Sequence, residues 1–326
     1  MTRATNKPME LKKDRLPPMR FQDRDGEILQ AIADYGGLVA KRQLKEMFWP
    51  GKSLRAMEKR LAKLRQNGLI AWPGREQRRS KPLPEPILWI DWKGMLWLAG
   101  KTGAVILSPV NEGENQMRLL ENRLREAGYR WLREPRWMQL EHDLAIIDFR
   151  LAVEKSLSSL PHLVLEDWIH ERAFHSNMDV VEFETEDRDG KVTHEKKGIC
   201  PDSYFVVVDK RRQIGGSPAR ARFLFELDMS THDNPSFGRE KAVPGAAYIK
   251  SVAFKNRFEY NSGRWLVVTT GVVRMKNLIA QTKQSLGVGA RVFLFTTLDE
   301  IKDANVLTAP IWRQADHQEP SALFSL

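Results

Sequence analysis

Two runs decide the fold: Cys200-Pro-Asp-Ser-Tyr-Phe-Val-Val-Val-Asp209 and, after a polar loop rich in Arg and Gly, Ala221-Arg-Phe-Leu-Phe-Glu-Leu-Asp228. β-Branched and aromatic residues bounded by turn formers predict adjacent strands of a hairpin. Acid stands where a buried strand ordinarily has none: Asp202 opens the first run, and Glu226 and Asp228 close the second. Side chains two apart on a strand share a face, so Glu226 and Asp228 are expected to project together, with Asp202 brought alongside by the pairing. Three carboxylates at one sheet edge repel unless a cation lies between them. The bland alternative is that these acids solvate strand ends or pair with Arg220, Arg222 and Lys241. Phe-Leu-Phe-Glu-Leu-Asp argues against it, because acid inside a core-like run is costly to bury.

Outward from this hairpin the pattern alternates. Upstream, a helix is predicted near Gln116 to Ala127 and a longer one from Gln139 to Ser158, with Leu140, Leu144, Ile147, Leu151 and Leu157 on or near one face and His142 in its first turn. Leu163 to Ile169 follows as a strand, then a polar segment with Phe183 and an Asp189-Gly190 turn. Downstream come a helix between Pro244 and Ala253, a strand from Trp265 to Thr269, a helix from Val272 to Leu286 closed by Gly287, and a strand from Arg291 to Phe295. Helices alternating with strands in this order predict a mixed sheet flanked by helices, an α/β (α+β) domain over residues 111–326.

The N-terminal third reads differently. Helices are expected at 23–35, ended by Gly36-Gly37, at 39–48, and after Ser53 as N-cap, where Leu54, Met57, Leu61 and Leu64 form one stripe with Gly68 past the end. Arg55, Lys59, Arg60 and Lys63 occupy the other faces of that third helix. Leu69 to Trp72 and Ile87 to Ile90 read as strands around a loop holding Arg75, Arg78, Arg79 and Lys81, and a closing helix covers 91–100. Three helices and a basic hairpin over 21–110 resemble a winged helix-turn-helix, whose third helix enters the major groove and whose wing touches backbone. Residues 1–20, polar and basic, read as a flexible arm, and 101–114 as the boundary between domains.

Charge agrees with that division. The net charge of +10 lies wholly in residues 1–80, with 19 Lys and Arg against 9 Asp and Glu, while the rest balances at 33 against 33. A basic module of this kind meets a polyanion, and nucleic acid is the first candidate because phosphate contacts supply most non-specific affinity. No apolar run approaches the roughly 20 residues that span a bilayer, and a cytoplasmic protein is expected. The single Cys200 forbids an internal disulfide and removes the Cys-pair zinc spacings.

At Pro201-Asp202 and Phe225-Glu226-Leu227-Asp228 the order of elements resembles the restriction-endonuclease-like core, whose signature is Pro-Asp, a spacer, then acid, any residue and Lys. The set His142-Asp143-Leu144-Ala145-Ile146, Pro201-Asp202, Glu226-Leu227-Asp228, Lys241 and Tyr248 behind a winged helix resembles the replication-relaxation family of plasmids and integrated mobile elements. The resemblance implies a role in replication or DNA relaxation on double-stranded DNA, with Mg²⁺ or Mn²⁺ held by Asp202, Glu226 and Asp228 and DNA cut or nicked. A homodimer, as winged-helix proteins form on palindromic sites, or replication and mobilisation proteins of the element are the expected partners, and the apolar runs are too short for a membrane. Asp228 stands where the Lys of the restriction-endonuclease-like signature would be, so Lys241 or Lys250 must supply that charge from a neighbouring element, or the fold serves as a non-catalytic DNA-binding scaffold. His142 is a candidate to orient water or phosphate and Glu166 a further acid. Tyr248 is a weaker candidate nucleophile, because no two His stand two apart to hold a metal beside it.

Overall fold

The computed structural model describes residues 19–101, 122, 133–186, 192–230, 237–315, 317 and 319–325. The predicted arm at 1–20 is described only at its last two residues, and most of the 101–114 connection, the 116–127 helix and the 189–190 turn lie outside these ranges. The chain forms two compact units that divide between Leu140 and Glu141.

In the N-terminal unit, α1 (Asp23–Asp34), β1 (Leu38–Ala40), α2 (Lys41–Phe48), α3 (Leu54–Gln66), β2 (Ile70–Ala71), α4 (Gln77–Ser80), β3 (Ile87–Ile90) and α5 (Trp92–Lys101) succeed one another. The three strands order as β1-β3-β2, both pairs antiparallel. Val39 and Ala40, expected in a helix, lie in β1 because their backbones pair with Leu88 and Ile87. Ile28, Leu29, Ile32, Leu44, Met57, Leu61 and Leu64 are buried, as amphipathic helices on a small sheet require. Leu54 departs from the expected stripe and is 53% exposed, since it opens α3 beyond the reach of the core. Gly94 admits α5 against the backbone leading into β2: a Cβ there would stand 2.2 Å from the Leu69 carbonyl oxygen.

The C-terminal unit is a mixed α/β layer structure. Its elements are α6 (Leu140–Ser158), β4 (Leu163–His170), α7 (Glu171–Ser176), β5 (Asp179–Glu186), β6 (Val192–Ile199), β7 (Ser203–Ile214), β8 (Ser217–Asp228), a π-helical turn (Gly238–Ala242), α8 (Val243–Lys250), α9 (Val252–Phe258), β9 (Arg264–Thr269), α10 (Val272–Leu286), β10 (Phe293–Thr297) and α11 (Leu298–Asp303). Five strands form one sheet in the order β10-β9-β8-β7-β4, with β8, β9 and β10 mutually parallel and β7 antiparallel to both its neighbours, β8 and β4. Strands β5 and β6 pair separately as a ribbon. Most of the loop expected between the acidic runs is strand, and the chain reverses at Gly215 and Gly216, both at positive φ, as a tight hairpin turn requires.

Alternation along the strands sorts the core into two faces. Phe205, Val207, Phe223, Phe225 and Leu227 meet Ile146, Phe149 and Val153 of α6 together with Trp312. Tyr204, Val206 and Leu224 face Tyr248 of α8, Phe254 and Phe258 of α9 and Leu278 of α10.

Candidate active site

Asp202 stands just before β7, and two main-chain contacts fix it against β8. Its N–H donates to the Phe225 carbonyl at 3.0 Å, and its Oδ2 accepts from Leu227 N–H at 2.7 Å. His142, in the first turn of α6, places Nε2 3.3 Å from the same Oδ2 and Nδ1 3.9 Å from Asp143 Oδ1. Burial opposes charge on this imidazole, but the hydrogen bonds and charges of Asp143 and Asp202 outweigh it and push its pKa up to about 10. His142 is therefore cationic at neutral pH.

Glu226 follows on β8, 8% exposed. Lys241, from the π-helical turn before α8, donates to its Oε1 at 2.7 Å. The other oxygen, Oε2, is buried and has no hydrogen-bond partner among the described residues. Burial pushes the carboxyl up to about 7; the Lys241 ammonium works against that shift and the Asp202 carboxylate adds to it. With one carboxylate oxygen of Glu226 unpartnered and the Asp202 carboxylate nearby, these two acids are the residues here that could hold a divalent metal.

Asp228 goes elsewhere. It accepts two hydrogen bonds from Arg274, Nε to Oδ2 at 2.7 Å and Nη2 to Oδ1 at 2.9 Å, and a third from Thr269 Oγ1 at 2.9 Å. The structure thus brings together Asp202, Glu226, His142 and Lys241, and holds Asp228 in a buried ion pair with α10. Sequence reasoning missed Arg274; its only signal is a basic residue in the first turn of the helix that follows β9. Glu166 sits at a bulge in β4, paired with Arg220 through Nε and Nη2, both at 2.8 Å. Tyr248 is fully buried, its hydroxyl donating to Asp179 and its pKa raised by burial first, which leaves it unsuited as a nucleophile. Lys250 is exposed at the end of α8. Among the described residues one trio of His, Cys, Asp and Glu has its ligand atoms within 4.8 Å of one another: Glu171, His175 and Cys200.

The basic residues of the N-terminal unit separate likewise. Arg55 and Lys59 are exposed on α3, and Arg75, Arg78 and Arg79 are exposed in the β2–β3 connection, the last two on α4. Lys63 is half-buried. Arg60 is committed to the fold: its Nε donates to fully buried Asp25 at 2.6 Å and its Nη2 bonds the other carboxylate oxygen. Arg65 and Lys41 lie over the Trp72 ring, 4.5 and 5.0 Å from its centroid.

No curated protein and no solved structure matches this chain. A family model described as replication-relaxation matches residues 29–250, a span that holds both basic clusters, His142, Asp202, Glu226 and Lys241. The chain belongs to the replication-relaxation family.

Proposed function

We propose that this chain binds double-stranded DNA through its N-terminal unit and cuts or nicks it at the Asp202–Glu226 site with Mg²⁺ or Mn²⁺, in replication or relaxation of a plasmid or integrated mobile element. One observation carries the reading: Lys241 Nζ, 2.7 Å from Glu226 Oε1, puts a cation beside the acid pair although position 228 holds Asp. Asp202 and Glu226 would hold the metal, which when bound polarises a phosphoryl oxygen and lowers the pKa of a bound water. Lys241 steadies negative charge developing on the phosphoryl group. Cationic His142 holds Asp202 in place and offsets charge beside it.

DNA binding is supported by the unit ahead of this site. The order helix, strand, helix, helix, strand, short helix, strand with β3 central supports a winged-helix reading. In it α3 presents Arg55 and Lys59 to DNA, with Lys63 at the margin, and the β2–β3 connection presents Arg75, Arg78 and Arg79.

A second reading has its own observation. Asp228, at the position where the restriction-endonuclease-like signature has Lys, is locked to Arg274, which favours a non-catalytic scaffold that binds DNA and a replication partner. The two readings separate on supercoiled plasmid carrying the element's own origin, incubated with Mg²⁺ or Mn²⁺ and wild type, Asp202→Asn, Glu226→Gln or Lys241→Met. Open-circular or linear product from wild type alone supports cleavage, and the product's form distinguishes a nick from a double-strand cut. DNA binding by all four proteins with no cut by any supports the scaffold.

A further inference from the structure

The hairpin has a second, chemically different end. At one end of β7 and β8 stand Asp202, just before β7, and Glu226; at the other are Asp209 to Ile214 and Ser217 to Arg222. A cavity of about 570 Å³ opens there, whose charged lining is Arg211, Arg212, Arg220, Arg222 and Arg264 against one acid, Asp209. Two of these charges are answered locally. Arg220 forks onto Glu166, and Arg211 lies 3.8 Å from Asp209. Arg212, Arg222 and Arg264 form no ion pair among the described residues.

Arg222 matters most, because it is only 8% exposed. Its guanidinium carbon lies 3.1 Å from the centroid of the Tyr260 ring, and Nη1 donates to the Arg220 carbonyl at 3.2 Å. A guanidinium has five N–H donors in a rigid fork. Arg222 lines the cavity, where donors not taken by the protein are open to an entering anion. Exposed Arg212 and Arg264 on the same cavity add charge that a single carboxylate would not use, whereas a phosphoryl group accepts from several guanidinium groups at once. Half-buried Phe324 on the same cavity offers apolar surface beside the charges, suited to a base or sugar.

We propose that this cavity binds a phosphoryl group, supplied by a free nucleotide or by a nucleic-acid strand. The inference does not rest on cleavage at the Asp202 site. It is tested with the full chain in EDTA, titrating inorganic pyrophosphate, ATP and a 5′-phosphorylated single-stranded oligonucleotide by calorimetry against wild type and an Arg212→Gln/Arg264→Gln double variant. Both positions are exposed, so thermal unfolding of the variant should match wild type; a single Arg212→Gln variant serves if it does not. Lys302→Gln, which removes an exposed positive charge outside the cavity, is the control and should bind as wild type does.

A loss of at least about tenfold for pyrophosphate or ATP in the double variant identifies a nucleotide pocket. The same loss confined to the oligonucleotide identifies a strand phosphate. Equal affinity of wild type and the arginine variants for all three probes overturns the proposal.

Discussion

Lys241 Nζ lies 2.7 Å from Glu226 Oε1 although the two residues come from different elements, the π-helical turn before α8 and the interior of β8. The contact joins an exposed-edge cation to a buried acid, and the acid keeps one oxygen unpartnered. Its carboxyl is consequently pushed up to about 7 rather than down, because burial outweighs the ammonium.

That sign fixes a pH dependence. An acid whose folded pKa is above its unfolded value near 4.5 costs no stability below 4.5, and the cost grows as pH rises until about 7. In EDTA, the stability of wild type relative to Glu226→Gln should therefore fall as pH rises from 4.5 to about 7 and level off above it. Lys241, 44% exposed, remains hydrated in the variant. Mg²⁺ at pH 8 should raise the melting temperature of wild type and not of Glu226→Gln. Parallel stability curves for the two proteins across this range, from urea unfolding, would refute the assignment.

His142 gives the opposite profile. Its folded pKa is raised from 6.5 to about 10 by Asp143 and Asp202, so its contribution is complete below pH 6.5 and is lost as pH rises toward 10. A His142→Gln variant in EDTA should be destabilised most at pH 6 and approach wild type by pH 10. Proton NMR of the imidazole supplies the direct check, and an ordinary titration near 6.5 would show that the contact with Asp202 is not made in solution.

Asp228 and Arg274 form a buried fork in which the side chains are 6% and 13% exposed. Removing one partner leaves the other charge buried, which typically costs about 3–5 kcal/mol. Asp228→Asn and Arg274→Met are each expected to lose stability in that range, and the double variant Asp228→Asn/Arg274→Met to lose less than the sum. Full additivity in the urea-unfolding cycle would mean that the fork contributes nothing as a pair.

The strand pair, the helix over 272–286 and the link from Pro201-Asp202 to Glu226 were legible because each rests on local pattern: apolar alternation, helical spacing closed by Gly287, and acid in an apolar run. The ribbon of β5 and β6 was not, since Asp179–Glu186 and Val192–Ile199 are largely polar and only their pairing makes them strands. Partners across the fold were equally hidden. Nothing in the spacing of Asp25 and Arg60, or of Asp228 and Arg274, says that they meet. For the same reason composition counted Arg60 among the DNA-facing residues, whereas the structure spends its charge on Asp25.

That distinction can be measured. Arg55 and Lys59 are exposed on α3, so Arg55→Ala and Lys59→Ala should leave thermal stability unchanged, weaken duplex binding, and each reduce the slope of log affinity against log salt by about one. Arg60→Ala removes the partner of a fully buried carboxylate and should destabilise the N-terminal unit by about 3 kcal/mol or more. Its effect on DNA should follow that unfolding: at a temperature where the unit remains folded, the salt slope should match wild type. Duplex binding by fluorescence anisotropy at several salt concentrations, paired with thermal unfolding, separates the two. Unchanged salt slopes for Arg55→Ala and Lys59→Ala would move the DNA-binding face off α3.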